Sequence, residues 1–193
     1  MLDRLKITSG RQVPSLSIFL SCCIFLASVT GGNTSQLTPE VFAPGIISTD
    51  LDESCGSFSP DAQTFYFVRR GAYTTSPAIS IICFSNFRDG KWTHPEVASF
   101  SGTYLDASPY FSPDGKRLFF SSKRPTKVNP TGRDWNIWFV DKIDNRWSQP
   151  QEIGEPINTA KNDTNPAVAA DGTMYFASEE IVSPGTSTFT EHG

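Results

Sequence analysis

Histidine is almost missing from this chain: His94 and His192 are the only two in 193 residues. Their scarcity removes most routes to acid–base or metal-dependent catalysis. There is no His-Glu-x-x-His, no Gly-x-Ser-x-Gly elbow, no P-loop and no Cys-x-x-Cys. Charge is sparse as well, with a formal net charge of −4, so no basic stripe for nucleic acid is expected. No long stretch keeps helical spacing between capping signals. No apolar run reaches the roughly 20 residues of a comfortable membrane span.

The longest apolar run, Leu16 to Val29, has its own meaning. Arg4, Lys6 and Arg11 precede it, and small or polar residues from Thr30 to Ser35 follow. That layout is a secretory signal peptide, with cleavage expected near Gly31 or Gly32. Residues 1–32 are therefore read as a signal and the protein as exported, to a periplasm or the cell exterior. An uncleaved anchor is the other reading and would be the sole membrane contact. A lipoprotein signal fits poorly, because Leu20-Ser21-Cys22-Cys23 lies midway through the run. Cleavage would leave Cys55 and Cys83.

What the sequence does contain is aromatic residues, which favour strands, and a repeat. Ser108 to Phe120 reads Ser-Pro-Tyr-Phe-Ser-Pro-Asp-Gly-Lys-Arg-Leu-Phe-Phe; degenerate copies occupy Gly56–Phe67 and Asn165–Phe176. The turn aspartates Asp61, Asp114 and Asp171 stand 53 and 57 residues apart. Strand-built repeats of roughly 40 to 50 residues are the mark of propeller blades. In the middle copy Pro113 presets φ, Asp114 bonds its own backbone and Gly115 takes positive φ. The spacing predicts strands over Ala107–Phe111, Arg117–Ser122 and Asn136–Asp141, and a fourth reaching Ile153. The first copy repeats these elements, and Trp92-Thr93-His94-Pro95 matches Trp147-Ser148-Gln149-Pro150. Four antiparallel strands per repeat make a blade.

The Ser-Pro-Asp-Gly turn followed by an aromatic strand resembles the TolB-like repeats of the WD-type β-propeller superfamily, over about Pro39 to Ser178. The resemblance implies an all-β propeller of six blades, exported, that binds protein partners, glycans or small ligands through one face. The third copy departs from the pattern, since Ala169-Ala170 replaces Ser-Pro. The expected organisation is an outer strand at 38–43, blades at 51–100 and 104–155, a half blade at 162–180, and a disordered tail over 183–193. Two and a half blades do not close a ring, since propellers have at least four. The chain is expected to be the front of a longer protein; ring closure by oligomerisation is the alternative.

Within a blade, Cys55 falls on the first strand and Cys83 on the third. With strands about 4.8 Å apart, their Cα atoms would be too distant for a disulfide, which usually needs under about 7 Å. Two free, partly buried thiols are expected.

An acidic residue stands eight positions before each turn aspartate: Glu53, Asp106 and Asp163. One reading is a ring of carboxylates at the channel mouth, holding a cation or basic ligand. The other is a structural clasp, because the second strand returns to place Arg70 beside Glu53 and Arg124 beside Asp106. The clasp accounts for both signs of charge and is the expectation. In the third copy Glu179 and Glu180 occupy the arginine region, which leaves Asp163 as the candidate for an unpaired, ligand-facing acid. Trp92 and Trp147 recur in register and are read as packing. Trp135, beside the variable 123–134 loop, is the tryptophan that could face a ligand. Asp50, Asp52 and Glu53 lack the glycine and distal glutamate of a calcium loop, and no metal or cofactor is expected. Asn33 and Asn162 each begin a glycosylation acceptor triplet.

The expected function is thus a non-enzymatic, exported binding module with a protein or glycan partner. The rival is the propeller part of an enzyme. The same repeats resemble the gating propellers of prolyl-oligopeptidase-type peptidases and the catalytic propellers of oligogalacturonide lyases. Both would need a catalytic domain or histidine-bearing metal site that these residues do not supply.

Overall fold

A computed structural model describes residues 39–71, 80–127 and 130–180. The signal segment, the 183–193 tail, Asn33 and His192 lie outside the described residues. Twelve strands make up the regular structure, and no helix occurs among the described residues.

The first blade contains β1 (Asp52–Phe58), β2 (Thr64–Arg70) and β3 (Ser80–Arg88), with the short β4 (Lys91–Trp92) and β5 (Glu96–Val97) both on β3. The second repeats it with β6 (Asp106–Phe111), β7 (Arg117–Ser122), β8 (Asn136–Ile143), β9 (Arg146–Trp147) and β10 (Gln151–Glu152). The third has β11 (Asn162–Val168) and β12 (Met174–Glu179) alone. All of these pairings are antiparallel. The fold is an all-β, incomplete propeller: two blades, in each of which a pair of short strands on the third strand takes the place of one fourth strand, and half of a third blade.

The turn chemistry explains why the hairpins form where they do. Ser112 Oγ donates to Asp114 Oδ1 at 2.6 Å and accepts from Arg117 N, while Lys116 N donates to the same Asp114 oxygen. Ser59, Asp61, Gln63 and Thr64 repeat the brace. Ala169 has no hydroxyl to brace the third turn, where Thr173 N donates to Asp171 Oδ1 at 2.9 Å.

That turn is also one residue shorter. Ser112 N donates to Arg117 O, but Ala169 N donates to Thr173 O. The pairing slips accordingly: Phe111 faces Leu118, whereas Val168 faces Met174. A one-residue slip exchanges the two faces of a strand. Counted from the turn aspartate, Tyr175 matches Leu118; in the structure Met174 and Phe176 fill the Leu118 and Phe120 positions and Tyr175 is exposed.

Every first strand carries a β-bulge two residues after its acid. Cys55, Ser108 and Asn165 have φ of 50°, 50° and 53°, and the ladders are interrupted there. A bulge adds a residue to one strand and shifts its alternation. Asp106 and Phe111, an odd number apart, consequently share one face.

Three apolar clusters follow. Tyr66 and Ile82 of blade 1 meet Phe111, Leu118 and Phe120 of blade 2, with Phe100 between. Phe119 and Ile137 of blade 2 meet Val168 and Met174 of the third, with Ile157 between. On the outer face of blade 1, Ile47 packs with Phe67, Ile81 and Cys83. Full burial of each such large side chain contributes roughly 1.5–3 kcal/mol.

Two expectations are corrected. Residues 39–43 form no strand; Ala43 to Ser48 closes a turn with Pro44 bridged to Ser48. A fourth strand needs the third strand of a blade before it, and none stands there among the described residues. The thiols are free but unlike each other. Cys55 is exposed on its bulge and Cys83 is fully buried, where burial pushes its thiol up to about 11.

Candidate functional site at the ends of the first strands

The first strands β1, β6 and β11 stand side by side, and each starts from a connector of one design. Six residues before the acid is a buried apolar plug: Ile47, Phe100 or Ile157. Four or five before it is a hydroxyl residue: Thr49, Ser101 or Thr159. The connector turns back so that this hydroxyl reaches the carboxylate.

In blade 1, Glu53 accepts from Thr49 N at 3.2 Å and Thr49 Oγ1 at 2.6 Å. Its basic partner is Arg69, with Nε at 3.1 Å. Arg70 was expected there and pairs instead with Asp52, at 3.4 Å and half-exposed. The reason is register: Glu53 lies opposite Arg69 and Asp52 opposite Arg70, so the second arginine falls on the other face.

In blade 2, Asp106 is fully buried. It accepts from Ser101 Oγ at 2.6 Å and from Arg124 Nη1 at 2.5 Å. Arg124 also donates to Ser122 Oγ and to the Phe100 carbonyl, and its guanidinium lies 5.0 Å from the Phe120 ring centre. Burial pushes the Asp106 carboxyl above its ordinary range, against the pull of Arg124 and the Ser101 and Ser122 hydroxyls. A buried carboxylate is sustained only by such pairing and hydrogen bonding.

In the third blade half the clasp is missing. Asp163 Oδ2 accepts from Thr159 N at 2.7 Å and Thr159 Oγ1 at 2.8 Å; Thr49 offers the same two donors to Glu53 but divides them between its two oxygens. Oδ1 is buried and has no hydrogen-bond partner. Opposite Asp163 in the ladder is Ser178, in the place of Arg69. Two residues further, where blade 2 has Arg124, is Glu180, which pairs with Lys161 at 2.6 Å on the surface. Asp163, the candidate for an unpaired, ligand-facing acid, is fully buried, because the connector and the neighbouring blade cover it.

Trp135 belongs to that cover. Its N–H donates to Asn162 Oδ1 at 3.0 Å and its carbonyl accepts from Asp163 N at 2.9 Å. Its half-buried ring lies 5.4 Å from Lys123 Nζ. The structure therefore brings Asp163 and Trp135 together, while Glu53, Asp106 and Asp163 stay one to a blade. No group of three or more metal-ligating side chains assembles among the described residues.

The bulges add a second row to this wall: exposed Cys55, half-buried Ser108 and exposed Asn165. Ser108 Oγ donates to Asn165 Oδ1 at 2.6 Å, bridging two blades. Sequence reasoning missed this row, since three different residue types share one backbone role. It also missed the connector hydroxyls, although each stands only four or five residues before its acid, a legible signal. Trp147 packs in the first junction and donates through Nε1 to the Tyr66 hydroxyl at 2.8 Å. Trp92 packs against Phe42 and Phe87, and His94 is exposed in the link between β4 and β5.

No family model matches the chain, and no curated protein matches it. Among solved structures it is similar to TolB from Acinetobacter baumannii, at 17% identity and a TM-score of 0.44. That match covers 67% of this chain and 27% of the other, so the chain spans about a quarter of the structure it resembles.

Proposed function

We propose that this chain is part of an exported, non-enzymatic β-propeller, six-bladed when complete, that binds a protein, glycan or small ligand at the end where its first strands begin. The observation that carries the reading is the unequal treatment of three equivalent carboxylates. Glu53 and Asp106 each have an arginine, and Asp163, equally placed, has an oxygen without a partner. An unsatisfied buried polar atom costs on the order of 1–3 kcal/mol, and a native structure that retains one calls for an explanation such as a functional role. The bulge row beside it adds a hydroxyl, an amide and a thiol on non-glycine residues held at positive φ. Export rests on the basic and apolar layout of residues 1–32.

A screen of soluble glycans and peptides by ligand-observed NMR tests the reading. Binders should lose their signal when Asn165, exposed on the wall, is replaced by Trp. Binding indifferent to Asn165→Trp, or turnover of a screened compound, would overturn it.

A further inference from the structure

The comparison of the three clasps also specifies the chemistry that the third one lacks. In blade 1 the Thr49 N–H holds Oε2, and the Thr49 hydroxyl and the Arg69 guanidinium share Oε1. In blade 2 Ser101 holds Oδ2, and Arg124 takes Oδ1 with a longer second contact to Oδ2. In the third blade Thr159 occupies Oδ2 with both its donors and leaves Oδ1, the guanidinium side in blade 2, without a partner. We infer that Asp163 is the receptor of an arginine side chain presented by the ligand, which completes the third clasp in trans. The inference rests on the binding reading above and names its ligand class.

Three observations bear on it. First, the blade's own side chains leave the arginine lane empty. Ser178 stands opposite Asp163 where Arg69 stands opposite Glu53, and Ser178 and Glu179 are exposed.

Second, the residue at the Arg124 position is an acid. Glu180 is held only by a surface pair with Lys161, whose side chain is 44% exposed. Such pairs are worth at most about 1 kcal/mol, so a guanidinium could exchange for Lys161 and meet two carboxylates. Third, Trp135 lies against the Asp163 backbone, and a cation already rests over its ring. Arg124 stacks on Phe120 and Trp138 in the complete clasp, and aromatic faces favour guanidinium in particular. The planar fork of guanidinium matches carboxylate geometry as an ammonium does not.

The test uses the 15N-labelled full chain and two blocked tripeptides, acetyl-Gly-Arg-Gly-amide and acetyl-Gly-Lys-Gly-amide. The arginine peptide should shift the Thr159 and Asp163 amide resonances saturably, and the lysine peptide should bind about tenfold or more weakly, as loss of a bidentate contact predicts. Asp163→Asn should abolish the response. Ser178→Arg should also abolish it, by filling the lane from within, and should raise Tm.

Absence of saturable shifts at those two amides in the natural chain would overturn the inference. So would an undiminished response in Asp163→Asn, or retained peptide binding in Ser178→Arg with Tm unchanged. A screened ligand that is lost in Asn165→Trp while the arginine peptide fails would leave the binding module standing and remove only its guanidinium site. Failure of both would remove both.

Discussion

The two blade junctions follow one plan with different materials. Between blades 1 and 2 the contact is largely of rings: Tyr66 lies 5.4 Å from Phe111, 6.2 Å from Trp147 and 6.4 Å from Phe100. The Trp147 N–H then binds the Tyr66 hydroxyl. Between blades 2 and 3 the buried set is Phe119 with Ile137, Ile157, Val168 and Met174. Here a side chain stands in for strand backbone. Asn158 Oδ1 accepts from Ile137 N at 2.8 Å and its Nδ2 donates to Ile137 O at 3.0 Å.

Aromatic pairs add directional preference to burial, and an amide bonded on both sides fixes a connector without needing ring geometry. The difference teaches that the connector and the bulge define the junction, and that the apolar filling is exchangeable around them.

The sharpest way to break that comparison is to empty each junction. Phe120→Ala, at a fully buried ring of the first junction, should cost about 3–5 kcal/mol, whereas Met174→Ala in the half-covered third blade should cost about 2 kcal/mol. Urea unfolding with unchanged slope measures both; equal losses would mean that the junctions are energetically alike. Next in size is the contrast between ion pairs. Arg124→Ala strands the buried Asp106 and should cost roughly 3 kcal/mol, while Arg70→Ala removes a half-exposed pair and should cost under about 1 kcal/mol. An Arg70 effect as large as that of Arg124 would contradict the register assignment.

The smallest effect concerns the braced and unbraced turns. The Ser112 hydroxyl and the Lys116 N–H hold the Asp114 carboxyl below its usual 3.8. A depressed carboxyl stabilises the fold above its ordinary value and loses that contribution as pH falls through the depressed one. Asp114→Asn should therefore narrow the loss of stability as pH falls below the ordinary carboxylate value, seen as a smaller drop in Tm than in the natural chain. A parallel loss in both proteins would show that the brace carries no linkage.

Much of this fold could be read from the chain because its punctuation is local. Ser-Pro-Asp-Gly specifies a turn from its own atoms, and the strands beside it alternate as strands must. The pairing of Arg124 with Asp106 was legible for the same reason. What escaped notice depended on phase. The bulges at Cys55, Ser108 and Asn165 shift the alternation without any common residue to announce them, so the choice between Arg69 and Arg70 could not be made from spacing. The burial of Asp163 escaped too, because its cover is assembled from a connector and a neighbouring blade.

The shortened third turn bears on how this lineage can change. Surface turns ordinarily absorb a gained or lost codon with little harm. Here the 169–173 turn has one residue fewer than its two counterparts, yet Val168 still faces Met174 as Phe111 faces Leu118. A single residue gained after Gly172 would give the third turn the length of the other two and leave Met174 and Phe176 facing blade 2. A residue gained within β12 itself has no turn to absorb it and would carry the side chains beyond it to the opposite face.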